Sequence, residues 1–253
     1  MISIVGIGNA ASSIASKFDG IPQYDVYLLN DKIEKTTDRK FKLKSFEKPE
    51  DYEANIPDLS DFFVDAKERI QVFITGASFS SIYSLGILEQ IKDYEIDVFY
   101  IKPDIELLTG IPRLVENMVF GVLQEYARSG NLRSFTIFSN QSIEIIHSSI
   151  NLKTYYDTLN ETIFSSVHYL NYFEHTEPHI GNMSKPSDIS RIRSIGMLDM
   201  KKLSEMWLFD LDMERELCYY MCINSERLEG EVGLHKKLVD ILKKKPRNAF
   251  RKI

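Results

Sequence analysis

Two turns in the first third of the chain are built from residue types that suit phosphate. The first is Gly6-Ile7-Gly8-Asn9-Ala10-Ala11, between the apolar run ISIVGIG and the segment AASSIASKF. Glycines let a backbone approach an anion closely, and a helix start offers free N–H groups. Its GxGxxA spacing also fits the loose fingerprint of dinucleotide-binding turns. Tight strand–helix packing would explain it equally well. The second is Ile74-Thr75-Gly76-Ala77-Ser78-Phe79-Ser80-Ser81, which closes the run IQVFITG. Small residues and hydroxyls at a helix start suit phosphate, and they suit an ordinary N-cap as well.

For the two turns to act together, the elements before them must end on one edge. The runs ISIVGIG, YDVYLLN, IQVFITG, IDVFYIKP and SFTIFSN are short, apolar and rich in β-branched or aromatic residues, and predict buried strands. Between them lie helical patterns. FSSIYSLGILEQIKDY places Ile82, Leu85, Leu88 and Ile91 on one stripe. IPRLVENMVFGVLQEYARSG has Pro112 in its first turn and Gly130 at its end. A further helical stretch covers about 152–174, while 31–60 is polar and reads as a long irregular connection. Strand and helix in alternation predict an α/β fold, a parallel sheet with helices on both faces. Ligands of such sheets sit at the carboxyl ends of the strands. That puts Gly6 to Asn9, Asn30 and Asp31, Gly76 to Ser81, Lys102 and Pro103, and Ser139 and Asn140 on one rim.

In this order the motifs resemble the tubulin/FtsZ superfamily. GIGNAA stands where FtsZ has a GxGGxGxNA-like turn, and LLNDKI where it has an NTDA-like turn. VFITGASFSS stands for the strand running into the GGGTGTG loop, YIKP for a TKP-like turn, and IFSN for an IPN-like strand end. Tyr156-Asp157-Thr158-Leu159-Asn160-Glu161 matches the FxxxND-like opening of the central helix, and 180–188 stands for the INVDFAD-like loop. The resemblance covers about residues 1–200. It implies a nucleotide-binding domain over 1–175, including the start of the central helix, and a reduced C-terminal subdomain over 176–253. It implies GTP or GDP as ligand, with Gly6, Gly8 and Asn9 lining the phosphates and Gly76, Ala77 and Ser78 beneath them. Asn140 and Asn160 would bond the guanine edge, Tyr156 would stack on it, and Glu106 would reach the ribose. Asp188 would be the remaining catalytic acid, reaching the nucleotide of the next subunit in a homo-oligomer or filament.

The departures bear on activity. GGGTGTG has become GASFSS, with Cβ atoms where backbone N–H groups would wrap phosphate. Losing two charge-assisted bonds at ~1.5–3 kcal/mol each would weaken binding by roughly 10²–10⁴-fold. In the catalytic loop Ser184 takes the first acidic position, Lys185-Pro186 interrupts it, and Asp188 is one residue out of register. Efficient hydrolysis, which needs a positioned water, is not expected. Three readings follow. One is weak guanine-nucleotide binding linked to self-assembly or filament interaction. The second is a structural or regulatory scaffold that has lost nucleotide, with Phe79 filling the pocket. The third is a Rossmann-type dinucleotide enzyme using Asp31 for the ribose.

Composition sets outer limits. The chain has 253 residues, 43% hydrophobic and 27% charged, which fits a globular protein and excludes wholesale disorder. Two cysteines, Cys218 and Cys222, exclude a secreted disulfide framework, and a cytoplasmic location is expected. They read as strand filler, and Trp207 with Leu203, Met206 and Leu208 as core. His175 and His179 stand four apart, but Pro178 between them argues against a metal site. The first residues lack the basic flank of a signal peptide, and no apolar run approaches the ~18 residues of a membrane span. The net charge is −6; eight of the 31 Lys and Arg, but only one of the 37 acidic residues, lie in 236–253. The acidic remainder argues against general nucleic-acid binding, and the basic tail offers a contact for an acidic partner.

Overall fold

The computed structural model describes residues 1–177, 184–199, 202, 204–244 and 249–252. The chain opens with β1 (Ile2–Ile7), α1 (Asn9–Ala15) and β2 (Tyr24–Asn30). Then come β3 (Lys40–Lys42), α2 (Pro49–Ala54), β4 (Arg69–Thr75) and, after a 3₁₀ turn at Phe79–Ile82, α3 (Tyr83–Gln90). β5 (Glu95–Lys102), α4 (Ile111–Ser129), β6 (Ser134–Ser139), α5 (Asn140–His147) and α6 (Tyr155–His175) complete the larger part. β7 (Ile192–Ser194) follows, then β8 (Gly196–Leu198), β9 (Glu205–Trp207), β10 (Glu216–Cys218), α7 (Ser225–Gly230), α8 (Leu234–Lys244) and β11 (Phe250–Lys252).

Seven strands form one sheet in the order β3-β2-β1-β4-β5-β6-β7, and every neighbouring pair is parallel. β1 and β6 are buried at all positions, as expected of parallel strands covered on both faces. Alternate side chains feed two cores. On one face Val5, Val72, Ile74 and Tyr100 pack with Ile87 of α3 and Val119 and Leu123 of α4. On the other, Ile4, Phe73, Phe99 and Phe138 pack with Ile14 of α1 and Ile163 and Val167 of α6.

α6 has 21 residues, about 30 Å at 1.5 Å per residue, enough to run the length of the central strands from their carboxyl ends to their amino ends. Its far end is fixed by charge. Glu174 accepts from Arg69 at 2.8 Å and Arg133 at 2.7 Å, and both guanidiniums also donate to the buried Asp97, at 2.7 and 2.9 Å. One turn earlier, Asn171 and Gln71 exchange side-chain amide bonds at 2.8 Å, both buried.

The segment 31–60 departs from expectation. It holds β3 and α2, with Tyr52 buried and its hydroxyl bonded to both N–H and C=O of Phe46. Neither element is long enough for periodicity to reveal it. α3 is shorter than its apolar stripe, because the first turn is 3₁₀ and the helix ends at Gln90. Beyond Ser194, β8 and β9 pair antiparallel and β10 and β11 pair parallel. Within 216–230 only Glu216–Cys218 is strand, and the last six residues form α7. Cys222 is thus exposed and outside any strand, contrary to its reading as filler. Leu208 is fully buried, while Trp207 and Met206 are half-buried.

Candidate functional site

Because the sheet is parallel, β1, β2, β4, β5 and β6 all deliver their carboxyl ends to one rim. The first turn leaves β1 with two glycines in different roles. A Cβ on Gly6 would lie 2.7 Å from Ser12 Cα and 2.8 Å from the Ala11 carbonyl, so this glycine lets α1 pack against the strand. Gly8 is the N-cap of α1 with φ 87°, a left-handed conformation. Its N–H donates to the Leu29 carbonyl at 2.7 Å, and its C=O accepts from Ser12 N–H at 2.9 Å. Asn9 is exposed and donates to Asp31 at 2.8 Å. Asp31 also accepts from Ser45 at 2.7 Å, and that bond, aided by Asn9 and opposed by partial burial, holds its carboxyl below the ordinary value. Asn30 is buried, bonded to Ser12 Oγ at 2.9 Å and to the N–H groups of Lys32 and Ile33, so it shapes its own turn.

The second turn leaves β4. Gly76 N–H donates to the Ile101 carbonyl at 3.0 Å. Ala77 takes φ 61° in the left-handed region that favours glycine. Ser78 precedes the 3₁₀ turn, and its carbonyl accepts from the N–H of Ser81 at 2.9 Å and the hydroxyl of Ser81 at 2.6 Å. Phe79 turns into the core, edge-on to Tyr52 at 6.0 Å between ring centres. Ser80 reaches the other way, its Oγ 2.4 Å from where a Cβ on Gly8 would be. The two turns therefore meet at Gly8 and Ser80.

Beneath Gly76 lies Glu116 of α4, fully buried. Its carboxylate accepts from the Tyr100 hydroxyl at 2.5 Å and from Lys102 Nζ at 3.2 Å. Burial, reinforced by the charge of Glu116, pushes the Tyr100 phenol up, so it stays a donor. Lys102 Nζ also sits 3.8 Å from the centre of the Phe120 ring.

The remaining expected residues divide. Asn140 is the first residue of α5, whose N-cap Ser139 accepts from Ser142 N–H at 3.3 Å. Tyr156 stands near the start of α6, 72% exposed, edge-on to Tyr155 at 5.2 Å. Tyr155 ties α6 to α5 through Glu144 at 3.1 Å. Asn160 lies one turn further along α6, half-buried. Glu106 is exposed in the loop after β5, its N–H donating to Asp104 at 3.0 Å. Asp188 does not join this group. It is exposed in the loop before β7, which enters the sheet from the opposite edge. Glu216 holds that loop, accepting from Ser187 N–H at 2.8 Å and from the hydroxyls of Ser187 and Ser190 at 3.1 Å.

His175 ends α6, and His179, like 180–183 of the expected catalytic loop and Leu203, lies outside the described residues. Among the described residues no cluster of three or more His, Cys, Asp or Glu is placed to hold a metal, and no helix is long and apolar enough to cross a membrane. Sequence reading missed Glu116, and it put Ser80 on the rim without its contact to Gly8. The signal for Glu116 was a carboxylate on the stripe of Val115, Val119 and Leu123, all buried. For Ser80 there was none, since its partner Gly8 is 72 residues away.

No family model matches the chain and no curated protein is significantly similar to it. Solved structures are. The GTPγS-form protofilament of TubZ from Bacillus thuringiensis serovar israelensis aligns over 100% of this chain and 82% of its own, with TM-score 0.67 and 12% identity. The GDP-form protofilaments of the same protein align over 99% and 81%, with TM-score 0.62 and 12% identity. The empty FtsZ dimer of M. jannaschii aligns over 77% of this chain and 62% of its own, with TM-score 0.57 and 14% identity. The chain thus spans less than two thirds of that FtsZ. The parallel sheet, the helix layers on both faces and these alignments together establish that the chain adopts the tubulin/FtsZ-like fold.

Proposed function

We propose that the chain binds a guanine nucleotide at the carboxyl rim and that binding is linked to assembly of copies of the chain. The observation that carries this is the meeting of the two small-residue turns at Gly8 and Ser80, with Asn140 and Tyr156 delivered to the same rim by α5 and α6. In this reading Gly6, Gly8 and Asn9 border the phosphates, with Gly76, Ala77 and Ser78 beneath. Asn140 and Asn160 bond the base, Tyr156 stacks on it, and Glu106 meets the ribose. An exposed aromatic beside a base contributes ~1–3 kcal/mol by stacking.

Assembly enters through Asp188. It stands on the opposite edge from the two turns, so it reaches a nucleotide only on a neighbouring copy. TubZ structures that this chain resembles are protofilaments, and the FtsZ structure is a dimer. With one acid in an interrupted loop, turnover is slow. We read residues 1–175 as the nucleotide-binding part and 176–253 as the accessory part, whose basic stretch meets an acidic partner.

Calorimetric titration with GTP, GDP, ATP and NAD tests the reading. Micromolar binding of guanine nucleotides alone is the expected result, followed by GTP-dependent sedimentation. Absence of binding at millimolar GTP and GDP overturns it.

A further inference from the structure

We propose that Arg193 and Thr136 form a binding site for a carboxylate group, on the α6-facing side of the sheet where β6 meets β7. The site lies beyond β5 from both turns, and it stands whether or not the chain takes a nucleotide.

Three observations carry it. The first is juxtaposition. Thr136 and Arg193 are register partners across the parallel pair β6–β7, and Thr136 is likewise in register with Phe99. Register partners share a face of the sheet, and Phe99 packs with Ile163 and Val167 of α6. Both side chains therefore stand on the α6 side, and both line a cleft of about 2860 Å³. The second is unused hydrogen-bonding capacity. Thr136 is 4% exposed, and its hydroxyl has no partner among the described residues. Arg193 is half-buried, and its Nε–H donates to the Ser190 carbonyl at 2.6 Å. A guanidinium has five N–H donors, so the other four have no acceptor among the described residues. Polar groups drawn out of water are normally paired.

The third is charge. Asp97 and Glu174 each accept from both Arg69 and Arg133. Glu95 lies 3.7 Å from Arg133 but is 58% exposed, so solvent screens it. Burial, with the charges of Arg133 and Arg69, works against the Arg193 cation, while Asp97 and Glu174 favour it; the balance holds its pKa below the ordinary value. Three guanidiniums thus share two close carboxylates, and the cluster is short of one negative charge. A carboxylate supplies it. Its two oxygens match the free fork of Arg193, and the Thr136 hydroxyl adds a third donor. A doubly charged phosphate would bring excess negative charge up to Asp97 and Glu174.

The test is titration of the isotope-labelled full chain with acetate at constant ionic strength, chloride making up the balance. It is read at the Arg193 side-chain Nε–H resonance, which Arg193→Gln or Arg193→Lys identifies by its loss. A saturable shift at millimolar acetate is expected, with weaker binding of inorganic phosphate. Thr136→Val keeps the shape of the side chain without its hydroxyl and should weaken acetate binding by about 10-fold. Thr136→Ser keeps the hydroxyl and should restore it, and thermal melting checks that both variants fold. No saturable shift, an equal shift in chloride alone, tighter binding of phosphate, or unchanged acetate affinity in Thr136→Val overturns the proposal. A capped Gly-Glu-Gly peptide separates the sources of the carboxylate. Tighter binding than acetate assigns it to a side chain of a protein partner, weaker binding assigns it to a small acid, and both support the site.

Discussion

The carboxylate of Glu116 lies directly against Gly76. A Cβ at position 76 would collide with it and stand 2.5 Å from the Tyr100 hydroxyl and 2.8 Å from Pro103 Cδ. The floor of the second turn is thus a buried acid tied to a tyrosine and a lysine. Gly76→Ala must push this group aside, a form of overpacking that costs ~1–3 kcal/mol. Urea unfolding measures it, and an unchanged midpoint would show that the Glu116 group yields freely.

Ala77 makes the opposite prediction. Its left-handed backbone costs roughly 1–2 kcal/mol for a residue with a Cβ, and the extra freedom of glycine in the unfolded chain returns part of that. Ala77→Gly should therefore leave stability unchanged or raise it by up to ~1 kcal/mol. A clear loss in thermal melting would mean that the Cβ of Ala77 has a packing role.

Phe79 packs with Tyr52 and the core between the sheet and α3 rather than filling the space between the turns. Phe79→Ala should cost ~1–3 kcal/mol, less than for a fully buried ring, and should not strengthen nucleotide binding. Tighter GDP binding by the variant would show that the ring closes the pocket.

Glu174 gives the fold an acid-sensitive joint. Burial works against its charge, but Arg69 and Arg133 hold its carboxyl below the ordinary value of 4.5. A carboxyl depressed in the folded state contributes stability that is present above that ordinary value and lost as pH falls through the depressed one. Unfolding free energy should therefore fall with acidification below about pH 4.5. Glu174→Gln should be destabilised by roughly 1–3 kcal/mol at pH 7, with a flatter acid limb. Identical limbs for the two proteins would place the acid sensitivity elsewhere.

Asp188 is exposed, so Asp188→Ala should change stability by no more than ~0.5 kcal/mol. It should leave nucleotide affinity in dilute, unassembled protein unchanged. Its effect should appear as lost GTP turnover at concentrations where copies associate. Turnover that is independent of both protein concentration and Asp188 would exclude an acid acting between copies.

Five strands and the two turns were legible from the chain alone because each is a local pattern. An apolar β-branched run ends in glycine or a polar residue, and parallel strands must be buried on both faces. Gly130 was legible for the same reason, and it does end α4 in the left-handed conformation. The order of motifs was enough to indicate the fold that the alignments to TubZ and FtsZ structures establish. β3, α2, β8, β9 and β11 were not legible, since three to six residues carry no periodicity and are held by tertiary bonds such as Tyr52 to Phe46. One of the three readings put Phe79 in the pocket, because loop composition does not say which way a ring turns; the core behind α3 decided that. Only the folded sheet brought Ser80 against Gly8 and set Glu116 under Gly76. Only the parallel pairing of β7 with β6 put Asp188 at the end of the sheet away from the turns. Local composition determined which segments are strands and turns. Which side chains face each other across them was decided by the packing of elements distant in the chain.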